Sequence, residues 1–158
     1  MDYLVAKRVP YTIQPRGRED SMLQSFPLLA VGFFIYACLS LTITPGETPW
    51  YEGEATSIQM MSGDMWRLTA GHLFIGFSLV LLFIELLRAT RSSGASIMNH
   101  ALSVLVFIGA LLMFITVQGY GNSIFFLYTA MTFTDFMAGF IITTAASRRD
   151  ISFGRASE

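Results

Sequence analysis

With 158 residues, 53% hydrophobic, 13% charged and a mean hydropathy of +0.55, the chain has room for one compact domain and lies outside the usual soluble range. A net charge of −1 gives no concentrated basic surface, which excludes nucleic acid as a partner. The single cysteine, Cys38, excludes an intrachain disulfide and a cysteine-ligated zinc or iron–sulfur site, and it reads as a small apolar residue of the segment that holds it.

Residues 1–25 carry Pro10, Pro15 and Gly17 among mixed charges, the composition of an irregular or surface-lying tail and too polar for a secretory signal. A membrane-spanning helix needs about 20 mostly apolar residues. Four segments meet or approach that length: 26–44, 70–87, 101–117 and 123–146. They predict an all-α integral membrane protein whose domain, 26–146, is an up-down-up-down bundle of four transmembrane helices, followed by a tail over 147–158.

The first helix starts near 21–27, where Ser caps and Pro27 is tolerated in the first turn, serves as an uncleaved anchor, and ends at Pro45 and Gly46. The loop 45–69 contains Trp50, Tyr51 and Trp66, residue types that settle at the bilayer–water boundary, so it is expected to lie on the membrane with a short interfacial helix within 54–68. Glu47, Glu52, Glu54 and Asp64 read as acids of a solvated loop. Met60, Met61 and Met65 read as a lipid- or partner-facing patch, since no Cys or His stands at copper-binding spacing.

In the second helix His72 falls at the outer, interfacial end, and Gly71, Ser78 and Glu85, spaced by seven, share a face that packs on protein. Glu85 is expected to pair with Arg88 at the boundary, both side chains snorkelling toward water. A flexible turn over 90–99 leads to His100 at the inner start of the third helix. At about 1.5 Å per residue the two histidines differ in depth by about 24 Å, too far for one haem to bridge them, and both read as interfacial hydrogen-bonding residues. The connection 118–122 has no charge.

In the fourth helix Asp135 falls near mid-membrane, where an acid costs about 2.5–3.5 kcal/mol on insertion scales, and no basic residue is expected at that depth. Tyr128, Thr132, Gly139 and Ile142 share its side of the helix, with Ala138 at the flank. Three readings stay open: a neutral Asp hydrogen-bonded within the bundle, a counter-charge for a partner's Lys or Arg, and a proton or cation site.

Orientation follows from charge. Lys7, Arg8, Arg16, Arg18, Arg88, Arg91, Arg148, Arg149 and Arg155 fall on one side of the predicted bundle and Arg67 alone on the other, which puts both termini in the cytoplasm. Absence of a glycosylation sequon, a retention signal and a lipidation box makes the bacterial inner membrane the default location. No Ser, His and Asp meet at a common depth and no phosphate-binding glycine loop occurs, so catalysis by the chain alone and a bound cofactor are not expected. The sequence therefore reads as a non-catalytic accessory or scaffolding subunit of a larger membrane assembly. It would meet the lipid bilayer and other membrane subunits, or itself, through Asp135, Thr132, Tyr128 and Glu85. The alternative is a small oligomeric proton- or cation-coupled transporter or channel using Asp135.

Overall fold

The computed structural model of the protein describes residues 26–42, 48–89 and 96–154. The N-terminal tail, the break at Pro45 and Gly46, Glu47, the 90–95 part of the turn and residues 155–158 lie outside the described residues. In chain order the elements are α1 (Leu28–Leu41), a 3-10 turn (Trp50–Glu52), β1 (Glu54–Gln59), β2 (Met65–Thr69), α2 (Ala70–Ala89), α3 (Ser96–Thr116) and α4 (Ser123–Gly154).

The protein is mostly helical, and three stretches, Ala70–Ala89, Met98–Thr116 and Ser123–Ile142, are long and apolar enough to cross a membrane. Their outward faces carry residues such as Phe77, Val80, Phe83, Leu105, Leu112 and Phe133, all substantially exposed. Apolar side chains facing outward at this density are what lipid contact requires. α1 is equally apolar but has 14 residues, about 21 Å of helix against a hydrocarbon core of about 30 Å. Its last turn closes at Thr42, whose N–H and hydroxyl both donate to the Leu39 carbonyl, at 3.2 and 2.7 Å.

The helices run antiparallel in succession. α4 packs along α2 and α3, and α1 along the same two. Sequence neighbours α3 and α4, and α1 and α2, pack on each other as short connections predict, and α4 along α2 and α1 along α3 complete the bundle. Small residues allow two further close approaches. A Cβ at Gly32 of α1 would lie 2.9 Å from the Tyr128 ring of α4, and one at Gly71 of α2 would lie 2.8 Å from the Tyr51 carbonyl. The buried face of α2 is Gly71, Phe74, Ser78, Leu82, Glu85 and Ala89, a run of three- and four-residue steps along one helical stripe.

Where the sequence predicts an interfacial helix over 54–68, the structure has a β-hairpin. β1 and β2 pair antiparallel, with Thr56 opposite Leu68, Ser57 opposite Arg67, Ile58 opposite Trp66 and Gln59 opposite Met65. Alternation of Thr56 and Ile58 with polar residues suits a strand, and Gly63 at φ +93° turns the chain at the tip, a conformation a helix cannot contain. The Gly63 N–H donates to the Met60 carbonyl at 2.9 Å and the Met60 N–H to the Asp64 carbonyl at 2.8 Å. β2 passes into α2 without an intervening residue. Thr69 and His72 close this junction reciprocally: the Thr69 N–H donates to His72 Nδ1 at 3.1 Å and the His72 N–H to Thr69 Oγ1 at 3.3 Å. That is a capping box in which an imidazole replaces the usual Glu or Gln.

At the hairpin end of the bundle, Tyr36 is fully buried among Phe125, Trp50, Tyr120 and Phe74, ring centroids 4.5, 5.1, 5.3 and 5.4 Å away. Asn122 joins this cluster to α4. Its amide donates to the Tyr36 hydroxyl at 2.8 Å, and its Oδ1 accepts the Phe125 N–H at 3.0 Å, capping the helix. At the opposite end α4 continues to Gly154, past the 146 boundary predicted from hydropathy, because no proline interrupts the polar stretch that follows.

Candidate functional site

The bundle interior divides into the aromatic cluster at the hairpin end and a polar cluster toward the end where α1 and α3 begin. The polar side chains come from three helices: Ser78 and Glu85 on α2, Asn99, His100 and Ser103 on α3, and Thr129, Thr132 and Asp135 on α4, all buried. Two of these are carboxylic acids and one an imidazole, and no Lys or Arg is among the buried residues described.

Glu85, only 1% exposed, reaches the start of α1. The residue preceding that helix is Pro27, which has no side chain able to cap it, so the first N–H groups need acceptors from elsewhere. Glu85 Oε2 accepts the Leu29 N–H at 3.2 Å, and Oε1 accepts the Asn99 amide at 3.2 Å. The Leu29 carbonyl accepts the Tyr128 hydroxyl. One residue of α1 is thereby held through its N–H by α2 and through its carbonyl by α4. This corrects the snorkelling reading of Glu85: the carboxyl is turned inward while Arg88 stands on the exposed side of α2. Backbone donors at a helix start, aided by the positive end of the dipole, hold a carboxylate in a buried position, and a boundary ion pair contributes little by comparison.

Asp135 is 4% exposed and interacts electrostatically with His100 of α3, while Glu85 of α2 lies within electrostatic range of it. Ser103 stands beside the Asp135 carboxyl without completing a well-formed hydrogen bond. The expectation that Asp135 has no basic neighbour in the chain is corrected by His100, which keeps its predicted place near the start of α3. His100 is 8% exposed, and its ring lies flat against α4 at Gly139, where any Cβ would overlap the imidazole. The glycine opens the space that lets a residue at the helix start reach inward.

The other residues singled out in the sequence separate by location. Thr132 is buried near Asp135, but its hydroxyl donates to the Thr129 carbonyl at 2.7 Å, as the Thr129 hydroxyl does to the Phe125 carbonyl at 2.9 Å. The acid's polar neighbours therefore come from α3 and not from its own helix. Trp50 belongs to the aromatic cluster, with Nε1 donating to Ser40 Oγ at 3.4 Å. Tyr51 is half-buried beneath the hairpin, whereas Trp66 and His72 are exposed. Asn99 and Ser103 escaped the sequence reading. The available signal was their spacing of four on an otherwise apolar helix, next to His100.

Three buried polar atoms of the cluster, Ser78 Oγ, Asn99 Oδ1 and Ser103 Oγ, have no hydrogen-bond partner among the described residues. Buried groups of this kind are normally satisfied, by water if not by protein. Among the described residues no three of His, Cys, Asp and Glu converge closely enough to hold a metal ion. What the arrangement can do chemically is bind a proton, which needs no cavity and moves between carboxyl, imidazole, hydroxyl and water. The chain matches no protein-family model, no curated protein and no solved structure.

Proposed function

We propose that the chain is a four-span membrane protein of the bacterial inner membrane, with both termini cytoplasmic, whose interior binds and passes on a proton at Asp135, His100 and Glu85. The observation that carries this reading is the burial of two carboxylic acids and a histidine from three helices, with no Lys or Arg among the buried residues described. Two acids in a dry interior resist simultaneous ionisation unless a cation or proton joins them. A proton satisfies that need without the converging ligand set a metal demands. Self-association belongs to the proposal, because four helices leave little room for a continuous aqueous path.

The accessory-subunit reading takes Asp135, Thr132, Tyr128 and Glu85 as contacts to other subunits or to a second copy. An inward-facing carboxyl at 4% exposure shifts support to the proton-site reading. The test is infrared difference spectroscopy of the purified protein in lipid across a pH titration. A carboxylic-acid carbonyl band should appear on acidification, lose intensity in Asp135→Asn, and shift in His100→Gln. Proteoliposomes with an entrapped pH dye then separate binding from passage. A titration with no carbonyl band assignable to Asp135 or Glu85 overturns the proposal.

A further inference from the structure

The hairpin is amphipathic in a way the helices below it do not require. Side chains directly opposite in an antiparallel pair share a face, and that face alternates along each strand. Thr56, Ile58, Trp66 and Leu68 therefore stand on one side, and Ser57, Gln59, Met65 and Arg67 on the other. Ile58 is 45% exposed, Trp66 50% and Met61, at the tip, fully exposed. No other element of the described chain covers the hairpin.

Its height is fixed by what it joins. α2 is apolar from its first residue, Ala70, and its 20 residues span about 30 Å, the thickness of the hydrocarbon core. Thr69 therefore ends β2 at the hydrocarbon boundary. Gly71 of α2 and Ile124 of α4 lie side by side at the same level, and the Ala70 N–H donates to the Gly53 carbonyl at 2.9 Å, which holds the base of β1 there too. A strand of this length standing upright would carry its apolar face roughly 20 Å into water. The outer edges of a two-stranded sheet have unpaired N–H and C=O groups, which forbids the hydrocarbon itself and permits the hydrated headgroup layer.

We infer that the β1–β2 hairpin lies along the membrane surface in the headgroup layer, with Ile58, Trp66 and Leu68 turned toward the acyl chains and Met61 at the leading tip. The occupant of this face is lipid. Glu52, Glu54 and Asp64 outnumber Arg67 on and beside the hairpin, so the attachment is apolar and does not need anionic lipid.

The test uses the full chain in phosphatidylcholine vesicles, with and without phosphatidylglycerol. In Trp50→Phe the remaining tryptophan is Trp66; lipids brominated near the headgroup end of the acyl chain should quench it more than deeply brominated lipids, equally in both compositions. Should that variant fail to fold, a nitroxide on Met61→Cys in a Cys38→Ser background should collide with lipid-dissolved oxygen in preference to an aqueous nickel chelate. Full aqueous quenching with no effect of brominated lipid would overturn the inference. So would protection that disappears when the protein is diluted in lipid, which would mark a second copy as the cover, or attachment that appears only with phosphatidylglycerol.

Discussion

Glu85 is bonded to two donors at once, and its variants separate shape from charge. Glu85→Ala leaves the Leu29 N–H and the Asn99 amide buried without acceptors, at about 1–3 kcal/mol each, and should lower unfolding stability in mixed micelles accordingly. Glu85→Gln keeps a carbonyl for Leu29, and its amide can meet Asn99 Oδ1, which has no partner in the native arrangement, once that side chain turns over. Gln should therefore cost less than about 1 kcal/mol. A Gln variant as unstable as the Ala variant would mean that charge, and not hydrogen bonding, holds α1. At Gly139 an added methyl collides with the His100 ring, and Gly139→Ala should destabilise by about 1–3 kcal/mol as overpacking does, with His100→Ala restoring part of the loss. Strict additivity in that double variant would disprove the contact. Of the polar cluster, the sequence disclosed Asp135, Glu85, Tyr128 and Thr132 because each interrupts an apolar run. It concealed their partners, because pairing between helices depends on rotation and depth, which periodicity within one helix does not encode.

Among the elements, the start of α4 depends on one side chain. Asn122→Ala removes the cap on Phe125, worth about 1 kcal/mol, and leaves the buried Tyr36 hydroxyl without its partner, at a further cost of about 1–3 kcal/mol. Asn122→Asp retains the cap and exchanges the amide's donation to the Tyr36 hydroxyl for an acceptor that must receive the phenolic proton instead. An ordering in thermal denaturation of wild type above Asp above Ala is expected, and Asp equal to wild type would show that the amide's donation to Tyr36 contributes nothing. The hairpin is hard to read from the sequence for a definable reason: a short segment with Trp, Met and Leu suits a helix or a strand, and the positive φ that makes Gly63 a turn shows only in the fold. The capping box at Thr69 and His72 was hidden because His is not the residue that motif usually carries.

For the whole molecule, the proposed four-span topology makes Ser62→Cys and Gly121→Cys, in a Cys38→Ser background, reactive to an impermeant maleimide in intact spheroplasts. Ser93→Cys and Ser157→Cys should react only in inverted vesicles. Labelling of Ser93→Cys from outside would remove the topology. Composition and hydropathy were sufficient for helices and for lengths that suit a bilayer, because those depend on local sequence. That sequence-adjacent helices pack followed from their short connections, whereas the packing of α4 along α2 and of α1 along α3 was not legible, and glycines such as Gly32 and Gly139 act only when a ring from another helix faces them. The attachment of α1 also governs how the protein is made. The acceptor for its Leu29 N–H lies 56 residues further along the chain, and synthesis at about 5–20 residues per second delays its arrival by about 3–11 s. During that interval the 14-residue helix has no acceptor from α2 for its Leu29 N–H, so α1 is expected to reach its full stability only after the Glu85 end of α2 has been made.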